Sequence, residues 1–223
     1  MIDYFKNFYD KIKITEKIFV VLFCFFPISI ISGNLLINLT FFLILIIFFI
    51  ELSIYKNFSF IKDRIVWLLM FFFFSLLINC FFSTNVASSL PRVFKILEII
   101  AFIIILRKII LNYELEFENL IFGFWAIIFS VLIIDIIFEL IFGYNILGFK
   151  SYMPGRIASF FGNELIVGSF FICFSSFFIG RISKLFKKNI SLKLTSLIIF
   201  LISISFLIGE RSNFIKYLII SAF

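Results

Sequence analysis

Histidine is absent from all 223 residues. That removes the side chain most often used as a general base near neutral pH, and with it the commonest metal ligand. Cysteine is scarce: Cys24, Cys80 and Cys173 each sit inside an apolar run and share no close spacing. They support neither a zinc site nor a disulfide framework and read as small packing residues. Proline occurs three times, and no stretch of Pro, Gly or Ser marks a linker, so a single domain over 1–223 is expected. Charged residues make up only 15% of the chain. No carboxylate cluster resembles a metal site, and no cofactor is indicated.

What fills the chain instead is apolar: 63% hydrophobic residues, 39 of them Phe, with a mean hydropathy of +1.21. A soluble domain is about half apolar, and at this length it could not hide the excess from water. The excess must face lipid. The fold class is therefore all-α, a polytopic transmembrane helix bundle, which excludes a soluble enzyme, a nucleic-acid binder and a secreted disulfide scaffold. The Phe bias needs no functional reading.

Crossing the hydrocarbon layer takes about 20 apolar residues in a helix. The run from Ile18 to Tyr55 is long enough for two, turning at Gly33-Asn34. Further spans are expected at Ile65–Phe82, Val93–Leu106, Asn119–Phe138, Leu165–Gly180 and Leu194–Ile208, and Phe214–Phe223 opens another. That makes seven helices and the start of an eighth. No small-residue cleavage site follows the lysine-rich N-terminus, so the first helix is read as uncleaved. Phe5, Phe8, Tyr9 and Ile12 fall at helical spacing among lysines, as in a helix lying on the membrane surface.

The net charge of +7 lies mostly between apolar runs, where it sets topology. With the N-terminus in the cytoplasm, Lys6, Lys11, Lys13, Lys17, Lys56, Lys62, Arg64, Arg107, Lys108, Arg181, Lys184, Lys187, Lys188 and Lys193 fall inside. Arg92, Lys95, Lys150, Arg156, Arg211 and Lys216 fall outside. Three of the six arginines thus lie outside, against three of the 14 lysines. Guanidinium presents a rigid fork that matches phosphate oxygens with paired hydrogen bonds. Arg92, Arg156 and Arg211, each near a predicted helix end, therefore point to an outward-facing phosphate or diphosphate site. Ordinary anchoring to lipid headgroups is the alternative.

The stretch from Asp135 to Gly168 is the most informative. Its outer loop over 139–164, roughly 25 residues long, exceeds ordinary connections and is rich in glycine and aromatics. Asp135 and Glu139 share one helix face. Glu164, the last residue before the sixth helix, suits a capping role there. A second outer corner, 209–213, reads Gly209-Glu210-Arg211-Ser212-Asn213. Glu210 is placed to pair with Arg211 and fix its direction, and the amides opening the next helix would add to an anion site. Glu51 is expected near a cytoplasmic end, and Glu114, Glu116 and Glu118 in an inner loop, all solvated.

Asp135, the turn Gly143-Tyr144-Asn145-Ile146-Leu147-Gly148, the stretch Gly155-Arg156-Ile157-Ala158-Ser159-Phe160-Phe161-Gly162-Asn163-Glu164 and the corner Gly209-Glu210-Arg211-Ser212 together resemble the O-antigen ligase and O-antigen polymerase superfamily of bacterial membrane glycosyltransferases. The resemblance implies that Arg156 and Arg211, with Arg92 as a third candidate, bind the diphosphate of a polyprenyl-diphosphate-linked glycan, supported by Glu210, Asp135 and Glu164. The implied reaction transfers the glycan to an acceptor glycolipid or glycan at the outer face of the inner membrane. Family members are longer and carry a histidine in a large outer loop. This chain has none, so it is expected to be the N-terminal portion of a longer protein whose catalytic base lies elsewhere. A transporter or flippase for an anionic lipid-linked substrate, or a non-catalytic membrane scaffold, are the competing readings.

Overall fold

The computed structural model describes residues 11–56, 63–151, 153–162, 166–185 and 191–222. The chain is all-helical, and no strand occurs among the described residues. Four helices are long and apolar enough to cross a membrane, and Leu194–Leu207 is a shorter apolar helix. Most of the surface-helix expectation over 5–12 lies outside the described residues. The chain forms two compact units, Met1–Ile121 and Phe122–Phe223.

The first unit contains α1 (Ile14–Cys24), α2 (Phe26–Ile31), α3 (Asn34–Tyr55), α4 (Arg64–Phe81) and the opening part of α5 (Val86–Phe142). The first span is broken at Phe25, and Pro27 falls in the first turn of α2, where its missing N–H costs no helical bond. Gly33, at φ +96°, makes the tight turn into α3 that the sequence placed there. Asp63 caps α4 by accepting the Ile65 amide at 3.0 Å, and Asn85 caps α5 by accepting the Ser88 amide at 3.2 Å. Val66, Phe73 and Cys80 recur every seven residues along α4 and join Val93, Ile100 and Ile104 of α5 in one core. Phe102 is a second centre of packing, with ring centroids 5.6 to 5.8 Å from those of Phe19, Phe23, Phe26 and Phe41.

The expected loop carrying Glu114, Glu116 and Glu118 is helical. The run Val86–Phe142 is interrupted only at Tyr113, whose φ of −142° and ψ of 36° are not helical. The stretch 107–118 contains no Gly or Pro and is rich in Arg, Lys, Leu and Glu, strong helix formers that favour a kink over a loop.

Cations and carboxylates converge at one end of this unit. Lys108 meets Glu16 at 2.9 Å and also binds Glu51, while Glu16 accepts the Lys13 amide at 3.1 Å. Arg107 pairs with Asp63, and Lys11 lies 3.4 Å from Glu116. Glu51, expected to be solvated, is only 7% exposed: burying it against Lys108 replaces water with a charge-assisted hydrogen bond. The Ile65 amide, with Arg107 beyond it, holds the Asp63 carboxyl below the ordinary aspartate range.

The second unit holds the remainder of α5, a 3-10 turn at Ser159–Phe161, α6 (Val167–Leu185), α7 (Ser191–Leu207) and α8 (Arg211–Ala222). Helices α6, α7 and α8 pack against one another pairwise. Trp125 of α5 meets Phe174 of α6 edge-on and Phe129 meets Phe171 at a tilt, with centroid distances of 5.0 and 5.2 Å. This packing leaves the α5–α6 connection and the α7–α8 corner to be positioned by their polar groups.

Candidate functional site

Helix α5 runs on to Phe142, so the α5–α6 connection starts at Gly143 rather than at 139, and Glu139 is a helical residue. Asp135 and Glu139, one turn apart, are both buried. A buried carboxylate is tolerable only when its oxygens are hydrogen-bonded. Asp135 accepts the Ile146 amide at 2.8 Å and the Ser159 hydroxyl. Glu139 accepts the Ala158 amide at 3.2 Å and the Ser159 amide at 2.6 Å. Asn145 completes the arrangement: its side-chain amide donates to the Ser159 carbonyl at 2.8 Å, and its side-chain oxygen accepts the Phe149 amide at 2.8 Å. The long connection is thus tied back onto the end of α5.

Met153 to Arg156 form a β-turn closed by the Arg156 amide on the Met153 carbonyl at 3.2 Å. Pro154 stands second and Gly155, at φ +77°, third, which is the pattern of a type II turn. The next amide, of Ile157, donates to the Ile208 carbonyl at 3.2 Å. Gly209, at φ +82°, lies so close to this turn that a Cβ there would fall 2.5 Å from the Gly155 carbonyl oxygen. Glycine at 209 is what lets the two segments meet. Arg156 leaves the turn partly exposed, and Arg211, two residues past Gly209, is the exposed first residue of α8.

Glu210, between them in this corner, is buried. The sequence paired it with Arg211. Its carboxylate instead accepts the Gly168 amide at 3.2 Å and the Asn213 side-chain amide, and Asn213 donates as well to the Ser169 hydroxyl at 3.1 Å. Gly168 makes room for it, since a Cβ there would lie 2.4 Å from Glu210 Oε2. The first turn of α6 offers free amides to an acceptor, which draw the carboxylate inward and away from the solvated guanidinium beside it. Glu210 therefore caps the first turn of α6; Glu164, expected to cap the same helix, lies outside the described residues.

Asp135, Glu139 and Glu210 are thus satisfied by backbone amides, a hydroxyl and a side-chain amide. Neither Arg156 nor Arg211 has a carboxylate partner among the described residues. Two arginines without an acid partner among the described residues thus stand on adjoining backbone segments, one of them at the start of α8, and guanidinium groups and free helix-opening amides are the donor types that anions recruit. Arg92 belongs to the first unit, where it lines a shallow cleft of about 290 Å³ together with Asn79, Ser83, Ser89, Leu76, Val93 and Ile96.

Ser159 and Asn145 were read in the sequence only as parts of a motif, yet they organise the loop. The four-residue spacing of Asp135 and Glu139 was a visible signal of a shared face. The left-handed backbone of Ser159, at φ +49°, was not, because serine carries no preference for it. No family model, curated protein or solved structure matches this chain.

Proposed function

We propose that this chain is part of a membrane glycosyltransferase of the O-antigen ligase and polymerase type, and that Arg156 and Arg211 grip the diphosphate of a polyprenyl-linked glycan. The observation carrying this reading is the close packing of Gly209 on the Gly155–Arg156 peptide, which joins two arginine-bearing segments while the neighbouring acids are satisfied elsewhere. In the proposed orientation the N-terminus is cytoplasmic and the arginines face the outer side of the bacterial inner membrane.

In the reaction an acceptor hydroxyl oxygen attacks the anomeric carbon of the glycan as that carbon's bond to the diphosphate oxygen breaks. The hydroxyl proton passes to a base outside this set of residues. Negative charge accumulates on the departing diphosphate. Guanidinium groups already in place stabilise that charge without the reorganisation water would require. The acceptor is a glycolipid in a ligase and a second carrier-linked repeat in a polymerase.

The test is complementation of a strain lacking the gene with the full gene product carrying Arg156→Ala or Arg211→Ala. Each should lower surface-glycan transfer by about 100-fold or more, the usual cost of removing one charge-stabilising donor, with membrane insertion intact. Lysine should rescue poorly, because it lacks the fork. Wild-type transfer by both alanine variants would reject the reading. Accumulated carrier-bound polymer in the deletion strain would identify a ligase, and short single-repeat chains a polymerase.

A further inference from the structure

We infer that Glu139, Asp135 and Ser159 are positioning residues for Arg156, fixing its backbone so that the guanidinium is presented to the diphosphate in one place; the inference rests on the diphosphate reading above. The observation behind it is an unbroken series of anchored amides. The Arg156 amide is held by the Met153 carbonyl and the Ile157 amide by the Ile208 carbonyl. The Ala158 and Ser159 amides are held by the two oxygens of Glu139. Four consecutive residues therefore have no backbone donor left to rearrange.

Ser159 is the hub. It is buried at φ +49°, a region that non-glycine residues occupy only when their surroundings over-determine it. Here the amide goes to Glu139, the hydroxyl to Asp135 and the carbonyl to Asn145. Every polar group of the residue is engaged. Glu139 and Asp135 project from one face of α5, so the loop takes its register from a rigid helix. Ile157 and Ala158, between Ser159 and Arg156, are buried as well.

Such an arrangement prepays the ordering that a flexible loop would otherwise lose on binding a ligand. An arginine on a mobile loop would reach the same anion from many backbone positions and bind it more weakly. The two carboxylates never touch the ligand in this account. They act through the loop.

The test uses the full gene product in nanodiscs, with Cys24, Cys80 and Cys173 replaced and spin labels on Met153→Cys and Ser212→Cys, both exposed positions of the second unit. Two quantities are read: the distance distribution between the labels, and the affinity for a polyprenyl diphosphate measured by native mass spectrometry. Glu139→Gln replaces an acceptor oxygen with a donor facing an amide. It should broaden the distribution and weaken binding about tenfold. Ser159→Gly, which tolerates φ +49° and keeps both backbone contacts but loses the hydroxyl on Asp135, should fall between Glu139→Gln and the parent, weakening binding about threefold. Ser159→Val, which resists that conformation, should behave like Glu139→Gln. The Ser159 pair decides the matter if Glu139→Gln does not fold.

A narrow distribution with parental affinity in Glu139→Gln and Ser159→Val would overturn the inference. So would a broadened distribution with parental affinity, which would make the clamp purely structural. If Arg156→Ala binds the polyprenyl diphosphate as tightly as the parent, the diphosphate reading fails, while the label distances still report whether the acids hold the loop.

Discussion

The two units of this protein handle charge in opposite ways. In the first, acids meet cations: Lys108 with Glu16 and Glu51, Arg107 with Asp63, Lys11 with Glu116. In the second, buried acids meet amides, a hydroxyl and a side-chain amide, and the two arginines of the candidate site have no acid partner among the described residues. Ion pairing consumes the cation's capacity to bind anything else. Pairing acids with neutral donors spares it. The first pattern ties helices together, and the second leaves Arg156 and Arg211 without an acid partner among the described residues, as the proposed diphosphate site requires.

The largest effect should come from breaking the first pattern. Lys108→Ala would leave Glu16 and Glu51 buried without their shared cation, and removing one partner of a buried ion pair costs about 3–5 kcal/mol. Thermal unfolding in detergent should show the loss, with diphosphate binding by surviving folded protein unchanged. A Lys108→Ala protein as stable as the parent would mean the cluster holds nothing together.

Gly209→Ala sharpens the other side of the comparison. It forces a Cβ into the Gly155 carbonyl and opposes a left-handed φ of +82°, a backbone penalty of about 1–2 kcal/mol before the clash is counted. Stability should fall and anion affinity should fall with it, although no charge has changed. Equal affinity would show that the contact does not matter to the site.

Gly168→Ala should act more modestly. Alanine favours a helix by about 0.5–1 kcal/mol over glycine, yet here it displaces the Glu210 carboxylate. That loses hydrogen bonds to a charged group worth about 1.5–3 kcal/mol. Glu210 is then free to turn towards Arg211, so anion binding should weaken more than stability does. Calorimetry alongside a binding titration separates the two.

The smallest effect concerns Asp63. Its carboxyl is held below the usual aspartate value, so its contribution is fully present above that value and is lost only as the pH falls through the depressed one. Asp63→Asn should therefore lower thermal stability slightly at neutral pH, and the difference from the parent should vanish in strong acid. A difference that persists there would assign the effect to something other than this charge.

Much of this was legible in the sequence. Composition dictated an all-helical protein with membrane-spanning helices, Gly33-Asn34 marked the turn into the long α3, and Gly155-Arg156 and Gly209-Glu210-Arg211 marked the segments that meet in the second unit. Pairings between distant residues were not legible. Glu51 and Lys108 are far apart in sequence, and hydropathy reports how much surface meets lipid but not which charge meets which. Nearness along the chain misled in the case of Glu210, which lies beside Arg211 yet turns to the Gly168 amide. The same bias expected a loop around Tyr113, because charges in a membrane protein suggest a connection even where every neighbour favours a helix.

The most direct measurement is a titration of the full gene product with a polyprenyl diphosphate, comparing the parent with Arg156→Ala and Arg211→Ala at two salt concentrations. Each substitution should weaken binding about 10- to 100-fold, the equivalent of one charged hydrogen-bonding group. Affinity that stays the same in both variants would contradict the claim that these arginines hold the ligand.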